Sequence, residues 1–396
     1  MKKHKRSRRV LAAVLAALLA LTLLPTAAFA EGGGPATPTV QTIGSDKYLF
    51  ANGLELKLEA GTSADVTRVS YRTIDSGDEY TSYAVLGATG TATDGYDLSQ
   101  WYIHGGSYRA DVAGGAKIVM NGGKVNTIRG GGYTGTGING DGNGFSADVT
   151  GNVTIDMAGG TVSSIYGGGS GKTAEVGTEQ NPVAVTIELG TGGTAVEIYG
   201  GGMCGKIHGS TGITVKGTVA GNVYGGGYDC EVTGDTNITL TGGTVGQNLN
   251  AAGNGDPGTI GGKAAITING GTVGCCVYGD SDHVADGSTV TIGGGAKIDG
   301  SNSYMDFGVI INGGTGTPVT NGVDSFCIAP NLDSEASVNV LLPEGYDASG
   351  DPVIATGAAA GDAAKIRLVG PGAAGLEPYL DGSEVKVGEV AAARYT

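Results

Sequence analysis

Proline is scarce in this sequence, 11 residues among 396, and no Gly-X-Y period orders its 78 glycines. A collagen triple helix is thereby excluded, because it needs glycine at every third position and abundant proline. Simple disorder is excluded by the 40% of hydrophobic residues, many of which alternate in period two. Long apolar runs are few: Val10 to Leu24 is the only one, about 15 residues, and a membrane-spanning helix needs roughly 20. No helical period follows it.

Chemistry-bearing signatures are equally thin. Only His104, His208 and His283 follow the first thirty residues, with no Gly-x-Ser-x-Gly elbow and no His-Glu-x-x-His. The Asp-Asp, Gly-His-Asp and Arg-Ile-Lys signatures of β-helical pectinases are missing. Cysteine is limited to Cys204, Cys230, Cys275, Cys276 and Cys327, an odd number that matches no zinc spacing and includes no Cys-x-x-Cys. Small buried or half-buried side chains with at most one bridge are expected there.

The first thirty residues read as a secretory signal peptide. Lys2, Lys3, Lys5, Arg6, Arg8 and Arg9 precede the apolar run, and Ala28-Phe29-Ala30 is a small-x-small cleavage signal before Glu31. Removing those six basic residues takes the formal charge from -15 to about -21. So acidic a chain is repelled by nucleic acid and by anionic membranes, so neither is an expected partner. A secreted product without a membrane span in the mature chain is expected, either extracellular or held non-covalently at the cell surface.

What is present is a repeat. Ile103-His104-Gly105-Gly106 recurs at Ile128, Ile165, Ile198, Val223, Leu249 and Val277, with spacings of 25, 37, 33, 25, 26 and 28 residues. Each copy is preceded by an alternating segment that runs into Gly-Gly, such as 152–161, 184–194, 237–244 and 265–272. Alternation of Val, Ile and Leu with Thr, Asp or Asn is the signature of a half-buried strand. A unit of two or three short strands bent at glycines is one coil of a stacked solenoid, and it is too short for a β-propeller blade of about 40 residues. The expected fold is therefore all-β, a single-stranded parallel β-helix over 96–330. Strand-rich caps are expected at 31–95 and 331–396 to shield the end coils.

Gly171-Lys172-Thr173 mimics the tail of a P-loop, but Tyr166 stands where the first required glycine belongs and no helix can follow. The first residue of each copy (Ile103, Ile128, Ile165, Ile198, Val223, Leu249, Val277) is always aliphatic, so it points inward, and the next one, directly before the glycines, is mixed and suits an outward or rim position. Tyr166, Tyr199, Tyr224 and Tyr278 then form candidate rungs of an aromatic ladder, and a platform for sugar rings is their candidate function. Calcium is the one ion the acidic turns suggest, with Asn139, Asp141 and Asn143 in one turn and Asp280, Asp282 and Asp286 in another. Ordinary Asx turns compete with that reading, and no other cofactor is indicated.

The Val-Thr-Ile…Gly-Gly-Thr-Val pattern followed by Ile/Val-Tyr-Gly-Gly-Gly, behind such a leader, resembles the glycine-rich β-helix secreted and surface proteins of Gram-positive bacteria over 96–330. The resemblance implies an adhesin-like, non-catalytic protein that binds polysaccharide, cell wall or host surfaces. Leu342-Pro343-Glu344-Gly345 lacks the Thr of an LPxTG sorting signal, so covalent anchoring is not expected. The alternatives are a polysaccharide lyase or glycoside hydrolase, which requires stacked carboxylates or a carboxylate beside Lys or Arg, and a purely structural spacer.

Overall fold

A computed structural model describes residues 37–135, 144–279, 283–294, 296–298, 309–310, 325–332 and 337–390. The leader expected at 1–30 lies outside them. The described residues are all-β, with no α-helix and with short 3-10 turns such as Ala363–Lys365 and Pro371–Ala373. None of their helices could cross a membrane.

The period-two segments are strands, and each pairs in parallel with its counterpart one repeat later. In the first ladder Ile118 faces Ile155, then Ile187, Ile213, Ile238 and Ile266 in unbroken register. Two residues on, Met120, Met157, Leu189, Val215, Leu240 and Ile268 repeat the arrangement. All twelve side chains are buried. Each contributes about 1.5–3 kcal/mol of burial, and none could be buried by its own repeat, because its cover is the equivalent residue above and below.

Two further ladders follow round the bend, one through Val125, Val162, Ala195, Val219, Val245 and Val273. The other runs through Ile103, Ile128, Ile165, Ile198, Val223, Leu249 and Val277. In the early repeats one long bent strand serves all three ladders, as in Val153–Tyr166. Later the same path divides into short strands, such as Thr236–Leu240, Thr244–Val245 and Leu249–Asn250.

Glycine follows the third ladder because successive backbones meet there. A Cβ on Gly167 would stand 2.0 Å from the carbonyl oxygen of Gly200. Beyond this corner the chain returns through isolated bridges that join Val149, Val176, Ile207, Val232, Ile260 and Val284, all buried.

Both ends continue the ladders before antiparallel strands close them. Asp46–Phe50 pairs in parallel with Gly95–His104, and Glu55–Ala60 with Ala116–Arg129, while Thr67–Arg72 lies antiparallel to Glu55–Ala60. Glu55, 1% exposed, ties this end together by accepting two bonds from Arg72, at 3.1 and 2.9 Å, and one from Tyr80. At the other end Ser337–Leu341 pairs in parallel with Ile366–Val369, and the hairpin Leu376–Asp381 with Glu384–Glu389 is antiparallel.

Candidate functional site

The register that aligns the third ladder also aligns the residue after it. Phe50, His104, Arg129, Tyr166, Tyr199, Tyr224, Asn250 and Tyr278 are successive partners, and every one carries a planar group. Tyr166 and Tyr199 stack at 4.7 Å between centroids and 4° between planes, Tyr199 and Tyr224 at 4.7 Å and 9°. The ring normals therefore run along the ladder, so the faces cover each other and only edges point outward.

This arrangement corrects the outward or rim placement expected for two of the tyrosines. Tyr166 is 7% and Tyr199 2% exposed, while Tyr224 and Tyr278 are half-buried. The reason lies in the glycine corner, which folds the next segment back so that Tyr228 meets Tyr199 edge-on at 6.1 Å. Sugar binding on aromatics needs an exposed ring face, and this stack presents none on Tyr199.

Below the tyrosines sits a buried cation. Arg129 is 7% exposed, and no carboxylate among the described residues contacts it. Its guanidinium lies over Tyr102 at 5.1 Å and Tyr166 at 5.5 Å, its Nη2 reaches Met203 Sδ at 3.3 Å, and its Nε has no partner. Burial holds the His104 pKa well below the ordinary imidazole range, and the Arg129 charge lowers it further. The neutral ring fits the contacts when Nδ1–H donates to the Gly131 carbonyl at 3.2 Å and Nε2 accepts from Arg129 Nη1 at 3.4 Å.

Of the calcium candidates, Asn139, Asp141, Asn143, Asp280 and Asp282 lie outside the described residues. Asp286 is exposed, and its backbone N–H donates to Gly262. Among the described residues no three His, Cys, Asp or Glu side chains are disposed to hold a metal ion. Acidic and amide side chains instead stitch one repeat to the next. Asp111 Oδ1 accepts the N–H of Asp148, Asp148 that of Glu175, Asp229 that of Asp256 and Asn248 that of Cys276, at 2.8–3.1 Å. Each bond satisfies a backbone donor at a bend, where the strand ladder offers none. Gly171-Lys172-Thr173 likewise opens no helix, and Thr173 Oγ1 donates to the Phe145 carbonyl at 2.8 Å.

Two places gather functional groups. In the first, Asp111, Asp148 and Glu175 occupy successive repeats beside His208, whose Nε2 lies 2.8 Å from Glu175 Oε2. Burial pushes the Asp148 carboxyl up to about 6, and the Asp111 and Glu175 charges add to the rise against the pull of the Glu175 N–H. His208 is 6% exposed, and its Nδ1 has no partner.

The second is a cleft at the N-terminal end. It encloses about 360 Å³ and is lined by Asp46, Lys47, Asp97, Gln100, Tyr102 and Asn126, with Ser45, Thr89 and Trp101 completing the wall. The pairing of Lys47 with Trp101 and of Leu98 with Val125 brings these distant segments together. Lys47 Nζ donates to Gly87 O at 2.6 Å and lies 5.4 Å above the Trp101 ring. Tyr102, also in the lining, stacks on Tyr48 at 5.0 Å and has the Arg129 guanidinium 5.1 Å from its ring centre.

The chain matches no family model, no curated protein and no solved structure. The two constellations must therefore be read from their own chemistry. Sequence reasoning singled out neither. The cleft residues sit outside the repeat motif, and their only signal was the lone tryptophan, Trp101.

Proposed function

We propose that the protein is a secreted parallel β-helix of the adhesin-like kind. It is non-catalytic and binds polysaccharide of a cell wall or host surface through the cleft beside Trp101. The observation that carries this reading is the lining of the cleft. Two carboxylates, two amides, a lysine and several hydroxyls around an open space match the alternating donors and acceptors of a sugar. The acidic chain favours a neutral or cationic glycan over an anionic one.

The test is retention of the mature protein on a panel of immobilised polysaccharides, repeated with Gln100→Ala/Asn126→Ala. Loss of two such hydrogen bonds weakens binding by about tenfold or more. Absence of any retained glycan, or equal retention of wild type and double variant, overturns the reading.

A second reading rests on Asp148, Glu175 and His208. A carboxyl poised near neutrality beside a carboxylate–imidazole pair is the composition of an acid–base centre, and a glycoside hydrolase would use it. Release of reducing ends from a bound polysaccharide, abolished in Glu175→Gln, would favour hydrolysis over binding alone.

A further inference from the structure

Cys275 and Cys276 are adjacent in the chain, and their sulfur atoms lie 3.0 Å apart as a thiol–thiol contact. Both are buried, at 8% and 1% exposure, in the bend between the strands Thr272–Val273 and Val277–Tyr278. The backbone is held on both sides: the Cys275 N–H donates to Gln247 O and the Cys276 N–H to Asn248 Oδ1, each at 3.1 Å. A packed, hydrogen-bonded bend thus keeps two nucleophilic sulfurs together, where a free chain would separate them.

We infer that Cys275 and Cys276 are a redox modification site that closes to a vicinal disulfide in an oxidising environment. The oxidant is an external disulfide of low molecular mass. The thiolate of Cys275, the less buried of the two, attacks one sulfur of the oxidant and expels a thiolate, leaving a mixed disulfide on Cys275. Cys276 then gives up its proton and attacks Cys275 Sγ, expelling the second thiolate. Two protein thiols are oxidised by two electrons, one external disulfide is reduced to two thiols, and the two protons pass to these. Burial, and after it the Cys275 neighbour, pushes the Cys276 thiol up to about 12. Closure by Cys276 is accordingly the slow step.

Adjacent residues hold their Cα atoms about 3.8 Å apart, closer than the roughly 4.4–6.8 Å of ordinary disulfides. The bond is therefore strained and easily reduced. It also closes too small a loop to restrict the unfolded chain much. These properties belong to a reversible modification and not to a structural staple.

The test takes the full mature chain, incubates it with oxidised glutathione, denatures it under iodoacetamide and maps the peptides by mass. The expected peptide carries Cys275 and Cys276 two hydrogens lighter and free of alkyl groups, and it gains two after reduction. Mild reduction should leave the melting temperature nearly unchanged. Alkylation of both residues without reduction, a glutathione adduct that never closes, or a bridge from either residue to Cys204, Cys230 or Cys327 would each overturn the inference. Cys276→Ser should stop at a glutathione adduct on Cys275, and Cys275→Ser should take up little or none at the more buried Cys276; if either variant still forms a closed bridge, the pairing is wrong.

Discussion

The Tyr199 ring lies parallel to that of Tyr166, 4.7 Å away and tilted by 4°, and is itself only 2% exposed. A ring covered on one face by Tyr166 and on the other by Tyr224 acts as a packing element. Its removal should be felt as lost stability before any loss of binding.

Tyr199→Ala should destabilise the protein by about 3–5 kcal/mol, the range for deleting a buried aromatic. Tyr199→Phe keeps both stacks and loses the hydroxyl's hydrogen bonds with Glu197, at 3.1 Å, and with Asn254, so about 0.5–1.5 kcal/mol per bond is expected. Urea midpoints of the two variants check this, and equal effects would contradict a stacking role.

The glycine corner makes a sharper contrast. Gly167→Ala drives a Cβ to 2.0 Å from Gly200 O and 2.4 Å from Val185 Cγ1, whereas at Gly212 nothing lies within 4 Å. We expect Gly167→Ala to cost several kcal/mol or to prevent folding, in keeping with other overpacked sites. Gly212→Ala should remain within about 0.5 kcal/mol of wild type or stabilise it. Thermal melts of the two variants decide the matter.

Arg129 is a buried cation without a carboxylate partner among the described residues. Its two ring contacts are worth roughly 0.5–2 kcal/mol each, and burying the charge costs several. Arg129→Met, which keeps the volume and removes the charge, should therefore raise the denaturation midpoint, while Arg129→Ala should lower it by leaving a cavity. A lower midpoint for Arg129→Met would mean that the guanidinium stabilises the stack on balance.

The Asp148 carboxyl has an ordinary value of 3.8 and stands at about 6 in the folded protein. Because the folded state holds this proton more tightly than the unfolded chain, Asp148 costs no stability below about pH 4. The cost grows as pH rises from there to about 6 and is constant above. Asp148→Asn keeps an acceptor for the Glu175 N–H and removes the charge. It should raise the melting temperature at pH 7.5 and leave it nearly unchanged at pH 3.5. A gain at both values would point to a cause other than titration.

The strand pattern was legible residue by residue. The alternation that assigned Val153, Ile155 and Met157 to one face matches their burial, because period two in a strand is a local property. The glycine corner was legible for the same reason, since no other residue tolerates such close backbone contact. The tyrosine orientation was not. Whether Tyr199 faces solvent depends on Tyr228, which lies 29 positions later and meets it edge-on, and local alternation carries no information about it. The acidic turns were ambiguous in the same way, because calcium binding and capping of the next repeat use the same side chains.

The amino-acid sequence alone determined the repeat, its all-β character, the aliphatic ladders and the excess of negative charge, because each follows from spacing and composition. Tertiary structure decided which planar groups became buried, that Arg129 meets rings and a sulfur and no carboxylate among the described residues, and that Asp46, Asp97 and Asn126 share one cleft. Those outcomes depend on how successive repeats stack and bend, and they place residues side by side that lie tens of positions apart.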